Sequence, residues 1–236
     1  MNGIIYYSNT NQSRTVAAYL SDLTGWTLYD LGCHAQAKRA ASIAFERVVL
    51  VFPVHCQRVP DAIADCLREL RAKKLGVVAT YGKMCHGNVL YEIQKKYLAG
   101  DIVAGAYVPM QHAYLPASEP TDLEVLRELA AKITEPVPSP VHIPRAYKNP
   151  LADLFPKARS RMGVSVRINP ERCAKCGKCE RECTEGGVMD GRFTSKCIRC
   201  LKCAVNCPAG AIVHRNRLPM RLYLEKKPKE QAEVYL

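Results

Sequence analysis

The residues with the clearest chemistry in this 236-residue chain are its twelve cysteines. Eight of them lie between residues 173 and 207 and give the pattern Cys-x-x-Cys-x-x-Cys-x-x-x-Cys twice. Two-residue gaps curl the backbone so that three thiolates reach three irons of one cubane, and the fourth cysteine then turns toward a second cluster. Because disulfides are rare in chains without a secretion signal, the spacing predicts two 4Fe–4S clusters.

Each predicted cluster takes three cysteines from one copy of the pattern and one cysteine from the other copy. The expected ligands of cluster one are Cys173, Cys176, Cys179 and Cys207, and those of cluster two are Cys197, Cys200, Cys203 and Cys183. A pair of zinc ribbons is the alternative, because Cys-x-x-Cys pairs also hold tetrahedral zinc. A zinc ion needs four ligands and has no use for a third Cys-x-x-Cys step, so the spacing favours the clusters.

The cysteine pattern belongs to a longer internal repeat whose copies lie 24 residues apart. Gly186 corresponds to Gly210 and Val188 to Ile212, so the similarity continues beyond the predicted ligands. A unit this short cannot bury a hydrophobic core alone. We therefore expect the two copies to pack against each other in one small domain.

A second group of polar side chains follows the first apolar run of the chain. Hydroxyl and amide groups crowd the segment that opens a predicted helix, namely Ser8, Thr10, Asn11, Gln12 and Ser13. Free backbone N–H groups and the helix dipole attract phosphate at such a position. The alternative is that one of these hydroxyls only caps the helix.

The first 135 residues alternate apolar runs with amphipathic segments, which predicts strands and helices in turn. The predicted strands are Gly3–Tyr7, Thr27–Leu31, Arg47–Val54, Leu75–Tyr81 and Ile102–Val108. The predicted helices are Ser13–Leu23, Cys33–Ala44, Pro60–Ala72, Asn88–Leu98 and Asp122–Ile133. This order predicts an α/β fold, a doubly wound five-stranded parallel sheet with helices on both faces.

Proline interrupts the alternation after residue 135, where six prolines fall between residues 136 and 162. They cannot all fit inside regular elements, so this stretch is predicted to be a linker. We therefore expect a doubly wound domain at 1–135, the proline-rich linker at 136–162, a small α+β cluster domain at 163–216 and a basic C-terminal tail at 217–236.

Two further polar loops follow the third and fourth predicted strands, at the edge where doubly wound sheets bind ligands. Together with the loop of residues 8–13, they resemble the phosphate loop and the two ring-binding loops of flavodoxins, which bind FMN. The resemblance covers about residues 1–135. It implies that Ser8, Thr10, Asn11, Gln12 and Ser13 hold the phosphate. It also implies that the ring is flanked by Pro53, Val54, His55, Cys56, Thr80, Tyr81, Gly82, Gly87 and Asn88, with Tyr81 as the aromatic residue placed to stack.

The cysteine repeat resembles the bacterial-type ferredoxins with two 4Fe–4S clusters, over roughly residues 163–216. The segment Cys207-Pro208-Ala209-Gly210-Ala211-Ile212 is similar to the usual ending of that family. Thr184 stands where the family normally has proline, which implies a looser turn after Cys183. The whole chain looks like the fusion family that joins a flavodoxin-like domain to a two-cluster ferredoxin.

Positive charge is concentrated in the second part of the chain, which has a net charge of +12. Residues 1–135 hold 14 Lys and Arg against 13 Asp and Glu, whereas residues 136–236 hold 20 against 9. The densest group is Arg215, Arg217, Arg221, Lys226, Lys227 and Lys229. No nucleic-acid recognition motif accompanies these charges. They are expected to dock on an acidic patch of a redox partner protein, the alternatives being solubility and compensation of cluster charge.

Taken together, these features predict an electron-transfer protein in which FMN exchanges one or two electrons and each cluster exchanges one. Two alternatives are open: a flavin-dependent reductase of a small molecule, with His55 or His86 as proton donor, and a fixed subunit of a larger redox complex. No apolar run approaches the roughly 20 residues of a membrane span. No signal peptide is recognisable after Met1, so a cytoplasmic location is expected.

Overall fold

A computed structural model of the chain describes residues 1–97, 100–115, 121–149, 154, 156–226 and 228–236. The chain divides into two compact units. Unit one consists of residues 1–112, 117–149 and 229–236, and unit two consists of residues 113–116 and 150–228. The predicted linker and the predicted tail are therefore each divided between the two units, because residues 136–149 and 229–236 pack as parts of unit one.

Within residues 1–135 the helices and strands agree with the predicted elements to within a few residues, whereas α6 lies in the predicted linker and α9 and β10 lie in the predicted tail. The strands are β1 (Asn2–Tyr6), β2 (Thr27–Asp30), β3 (Ala44–Pro53), β4 (Arg71–Tyr81), β5 (Asp101–Pro109), β6 (Val164–Ile168), β7 (Val188–Met189), β8 (Arg192–Phe193), β9 (Ile212–Asn216) and β10 (Glu233–Tyr235). The helices are α1 (Gln12–Thr24), α2 (His34–Ala41), α3 (Asp61–Glu69), α4 (Val89–Lys96), α5 (Leu126–Thr134), α6 (Pro156–Gly163), α7 (Lys178–Arg181), α8 (Lys202–Val205) and α9 (Leu218–Leu224).

Unit one is built on a six-stranded sheet with the order β10-β5-β4-β3-β1-β2. Strands β1 to β5 pair in parallel. Their order, 2-1-3-4-5, is that of the flavodoxin-like doubly wound fold. The predicted fold class is confirmed. The sixth strand was not predicted: β10 pairs antiparallel with β5, with Glu233 opposite Tyr107 and Tyr235 opposite Gly105.

The central strands are buried on both faces, as parallel strands covered by helices must be. Alternate residues of a strand point to opposite faces. Thus Val48 and Leu50 join the core under α3 and α4, whereas Val49 and Val51 join the core under α1 and α5. This packing fixes the carboxyl ends of β1, β3 and β4 side by side, and the predicted polar loops begin at those ends.

Unit two is a small α+β structure made of the two repeat copies. Strand β6, before the first cysteine run, pairs with β9, which follows the second run, and β7 pairs with β8 between them. Helices α7 and α8 lie 24 residues apart in the sequence and contact each other through a hydrogen bond of 3.0 Å from Asn206 Nδ2 to Glu182 Oε2. These two residues are equivalent in the repeat, so the copies contact each other at matching positions.

The search for a membrane span covered only the described residues, and none of their helices is long and apolar enough to cross a bilayer.

Candidate functional site

The two cysteine runs follow the same backbone path in unit two. Three residues of each copy have positive φ, a conformation that L-amino acids other than glycine rarely adopt. In the first copy these are Lys175 (φ 53°), Gly177 (φ 69°) and Gly186 (φ 58°), and in the second they are Arg199 (φ 61°), Leu201 (φ 63°) and Gly210 (φ 56°). Each member of the first set lies 24 residues before its counterpart, so the backbone turns at equivalent points around each run.

The fourth cysteine of each run accepts a hydrogen bond from the backbone four residues later. Gly187 N donates to Cys183 Sγ at 3.1 Å, and Ala211 N donates to Cys207 Sγ at 3.3 Å. Burial alone would raise the pKa of Cys207, but backbone N–H groups that point at its sulfur, with Ala211 first, lower this pKa below the ordinary thiol value. The turn after Cys207 therefore stabilises the thiolate of this residue, which is the form that binds metal.

A glycine brings the end of the first run close to the start of the second. A Cβ atom on Gly187 would lie 2.7 Å from Cys197 Cα, which is closer than non-bonded carbon atoms approach. The absence of a side chain therefore lets the turn after Cys183 pack directly on Cys197.

The predicted ligands of cluster two surround one cavity. It is lined by Cys183, Cys197, Cys200 and Cys203, together with the apolar side chains of Val166, Val188, Phe193 and Leu201. Burial raises the pKa of the free Cys200 thiol to about 11 and that of Cys203 to about 12. Iron offsets this cost because a coordinating thiol is deprotonated outright. The residues present fit a cluster ligated by three cysteines of the second run and Cys183.

The predicted ligands of cluster one are nearer to solvent. Cys176 is exposed, and Cys173, Cys179 and Cys207 are partly buried. Burial raises the pKa of Cys179, the backbone N–H groups of Cys179 and Glu180 oppose this rise, and the neighbouring thiols of Cys173 and Cys176 add to it. Cys173 and Cys176 therefore both lie within electrostatic reach of Cys179. Their grouping with Cys207 stays a prediction.

All twelve cysteines are among the described residues, and none of them forms a disulfide. Across the described ranges, no group of three or more His, Cys, Asp or Glu side chains is close enough to hold a single metal ion.

Tyr114 is a residue of unit two that the sequence did not point to. Its hydroxyl donates a hydrogen bond of 2.7 Å to the carbonyl oxygen of Arg199, within the second cysteine run. Its own carbonyl accepts a bond of 3.0 Å from Asn216 Nδ2. Tyr114 thus connects the loop of cluster two to the end of β9. It follows β5 in the chain and carries no motif, so no sequence signal marked it.

In unit one, the fold brings together the three polar loops at the carboxyl edge of the sheet. The Ser13 and Thr80 hydroxyls share a hydrogen bond of 2.8 Å, and both side chains are buried. Asn9 Nδ2 lies 2.9 Å from His55 Nε2. The loops after β1, β3 and β4 are therefore in mutual contact. The Ser13 hydroxyl is therefore already paired within the chain, and its predicted contact with a phosphate stays a prediction.

Four buried polar atoms in these loops lack a hydrogen-bond partner among the described residues. They are Ser8 Oγ, Asn9 Oδ1, Tyr81 Oη and Asn88 Oδ1. Buried polar groups in proteins are nearly always paired with protein, water or a ligand, so these four atoms are open to a partner outside the described chain. Asn11 begins α1 with φ 64°, which asparagine tolerates where the predicted phosphate loop turns.

The two predicted ring-binding loops contact each other directly at one point. Cys56 (φ 51°) and Gln57 (φ 66°) form the tight turn between His55 and Arg58. Gly87 packs on this turn so closely that a Cβ atom would lie 2.8 Å from Gln57 Cβ. Near Gln57 and Gly87 the two loops therefore pack directly on each other.

Tyr81 is only 4% exposed, and its ring packs in T-shaped contacts with His86 and Tyr107. Its ring is therefore in contact with protein side chains, and its role beside a flavin stays a prediction.

Neither histidine of these loops is arranged as a proton donor. His86 Nδ1 lies 2.8 Å from Gly87 O, and Nε2 lies 3.0 Å from Glu233 Oε1 on β10, so both ring nitrogens are engaged. The ring also stacks on Tyr107 with 3.7 Å between centroids. Burial lowers the pKa of His55 to about 4, so its ring is neutral at pH 7. These contacts do not favour the alternative of a reductase with one of these donors.

Comparisons with known proteins agree with part of this geometry. A family described as a 4Fe–4S binding domain matches residues 192–213, which include all four cysteines of the second run. No curated protein sequence matched the chain.

Two solved structures illustrate the similarity at the level of the fold. A candidate flavoprotein from Bacteroides uniformis is 13% identical, with a TM-score of 0.38, and the match covers 56% of this chain and 97% of that one. The Trp repressor binding protein from Bacillus subtilis is 12% identical, with a TM-score of 0.37, and the match covers 59% of this chain and 100% of that one. These scores are too low to support an argument about function. The strand order and the family match show that the chain contains a flavodoxin-like α/β unit and a 4Fe–4S binding domain.

Proposed function

We propose that the chain is an electron-transfer protein whose unit two holds two 4Fe–4S clusters. The observation that carries this proposal is the repetition, 24 residues apart, of three positive-φ residues and one N–H···S bond around each cysteine run. The family match covers only the second run. The equivalent backbone of the first run supports a second cluster of the same kind.

The proposed clusters supply one-electron chemistry, and the protein's own groups determine how that chemistry is used. The ligands of cluster one are Cys173, Cys176, Cys179 and Cys207, and those of cluster two are Cys197, Cys200, Cys203 and Cys183. The exposed Cys176 lies at the surface of unit two, whereas Cys197 is buried. Site one is therefore the side at which a partner exchanges electrons, and site two is the enclosed one.

Iron and sulfide analysis tests this assignment. Anaerobically purified protein should contain about eight irons and eight acid-labile sulfides per chain, from two four-iron clusters. Cys200→Ser should lower both to about four, because a cluster held by three thiolates is lost more readily. Cys66→Ser is the matched control: Cys66 lies on α3 in unit one, outside the repeat, and this variant should keep both contents. Stoichiometric zinc without sulfide would refute the proposal.

We also propose that unit one binds FMN at the carboxyl edge of its sheet. The unpaired buried atoms of Ser8, Asn9, Tyr81 and Asn88 support this, as does the strand order. Ser8, Thr10, Asn11 and Gln12 are the residues that we assign to the phosphate end. Pro53 to Cys56 and Thr80 to Gly82, with Gly87 and Asn88, are assigned to the ring. A bound flavin would supply the step between two-electron and one-electron transfer.

A charge substitution in the first loop tests the FMN proposal. Thr10→Asp places a negative charge where the phosphate is expected and should weaken FMN binding at least tenfold, which corresponds to about 1.4 kcal/mol. Thr15→Asp is the control: it adds the same charge to an exposed position of α1, and the affinity should change much less. Ser13 is unsuitable because it is buried against Thr80, so a carboxylate there would destabilise the unit. Absence of binding at micromolar FMN, measured by flavin fluorescence, would contradict the proposal.

The partner is proposed to be a redox protein with an acidic patch. Arg217 and Arg221, at the start and within α9, and Lys226 just after it are exposed. Lys229 instead forms an ion pair of 3.8 Å with Glu233 in unit one, and Lys227 lies outside the described residues. The exposed basic side chains of unit two would steer an acidic partner and speed the encounter.

A further inference from the structure

Arg199 is a partly buried residue, and two nitrogen atoms of its guanidinium group have no hydrogen-bond partner among the described residues. Its Nε and Nη1 atoms are inaccessible to solvent, and neither makes a hydrogen bond to any described residue. The residue lies between Cys197 and Cys200 in the second cysteine run. A buried cation without a compensating acceptor costs several kcal/mol in a protein interior. We therefore expect Nε and Nη1 of Arg199 to bind an acceptor that is not part of the polypeptide.

The surroundings of Arg199 indicate where that acceptor lies. Arg199 lines the same cavity as Cys183, Cys197, Cys200 and Cys203. Its Cζ atom is 5.7 Å from the centroid of the Phe193 ring, which also lines the cavity. Tyr114 holds the carbonyl of the same residue from outside. The backbone of Arg199 is thus held by Tyr114, and its guanidinium lies beside a ring that lines the cavity of the proposed cluster.

We propose that the Arg199 guanidinium donates hydrogen bonds to sulfur atoms of cluster two and raises its reduction potential above that of cluster one. This inference rests on the proposed function of unit two. Reduction adds one electron to the cluster and no proton, and arginine stays protonated throughout. A fixed positive donor stabilises the more negative, reduced form more than the oxidised form. Glu185 and Lys202 also line the cavity, but they carry opposite charges.

The first copy of the repeat has no counterpart of the Arg199 guanidinium. Lys175 occupies the equivalent position with a similar φ of 53°, but its side chain is exposed. A solvated ammonium group interacts weakly with its surroundings because water screens it. The equivalent positions of the two copies therefore hold a partly buried cation, Arg199, in the second run and an exposed cation, Lys175, in the first. Electrons that enter at the exposed site one would accordingly settle on cluster two.

The test compares Arg199→Gln with Lys175→Gln, which removes one positive charge from the equivalent position of the other copy. Iron and sulfide are measured first, since about eight of each establishes both clusters independently of their potentials. Potentials are then measured by anaerobic redox titration followed by electron paramagnetic resonance. In Arg199→Gln, one of the two potentials should fall by at least about 59 mV, a tenfold change in a one-electron equilibrium. In Lys175→Gln, both should stay close to the wild-type values.

Equal shifts in the two variants would mean that only net charge matters, and that result would overturn the inference, as would unchanged potentials in Arg199→Gln. If Arg199→Gln retains only one cluster, Arg199→Lys decides. Both clusters in Arg199→Lys, with potentials near wild type, would support the role of the buried cation. Loss of a cluster in Arg199→Lys as well would show that the side chain is needed only for folding, and would refute the proposal.

Discussion

Leu201 offers a sharp test of the backbone of the second cysteine run, because it adopts φ 63° where the first copy has Gly177. Its side chain is only 4% exposed and lines the cavity of cluster two. The left-handed conformation costs a residue with a Cβ atom about 1–2 kcal/mol. Removing a buried leucine side chain costs about 2–5 kcal/mol. The free energy gained by burying the leucine side chain exceeds the cost of the left-handed backbone, so the fold tolerates leucine at this position.

Two substitutions separate these effects. Leu201→Ala loses the burial and keeps the conformational cost, so we expect a destabilisation of about 3 kcal/mol. Leu201→Gly loses the same side chain but relieves the left-handed strain, so it should be the more stable of the two by about 1 kcal/mol. Alanine is normally the more stable choice within a helix or a strand. The order of the two variants therefore reports the conformation at residue 201.

The assay is the rate at which the clusters lose their visible absorbance in guanidinium under anaerobic conditions, since cluster loss is irreversible. Each 1.4 kcal/mol corresponds to about tenfold in rate if the interaction is lost in the transition state. Val205 provides the control: it lies on the helix α8 and is 51% exposed, so Val205→Ala should lose clusters more slowly than Val205→Gly. If Leu201→Ala outlasts Leu201→Gly, residue 201 is not left-handed in solution and the reasoning fails.

Three further predictions follow from contacts described above. Tyr114→Phe removes the hydrogen bond to the second cysteine run and should speed cluster release by several-fold, as a loss of about 1 kcal/mol implies. Because burial lowers the pKa of His55 to about 4, the unfolded chain binds a proton below about pH 6.5 that the folded chain does not. The urea midpoint of unit one, followed by the single tryptophan, should therefore fall from pH 6.5 to pH 4, and less steeply in His55→Asn. Arg221→Glu should slow reduction by an acidic partner at low salt and lose this effect above about 0.1 M salt, whereas Lys38→Glu on α2 should not.

The sequence predicted those features that depend on local spacing. The five parallel strands have long apolar runs, such as Val48 to Phe52, which can only be buried between helices. The cysteine runs are equally local, because two- and three-residue gaps determine which thiols share a cavity. Cys183 lining the cavity with the second run is consistent with the predicted exchange of the fourth ligand.

The features that the sequence did not predict depend on contacts between distant segments. Strand β10 has only three residues, so its pairing with β5 has no periodic signal. Tyr114 contacts unit two through its hydroxyl, its carbonyl and its ring, whose centroid lies 6.0 Å from that of His214. The direct contact of Gln57 with Gly87 depends on two loops whose lengths alone do not determine their path. These are tertiary effects that overrule local patterns.

Strand β10 also affects how this protein is made. Unit two lies between parts of unit one in the chain, since residues 229–236 belong to unit one and follow the whole of residues 150–228. A ribosome therefore releases five parallel strands with β5 as an open edge, and the segment that covers this edge and brings Glu233 to His86 emerges only after every cysteine. Open edges are prone to pairing with other chains. The time needed to synthesise the segment between β5 and β10 thus sets how long the edge of β5 stays open during synthesis.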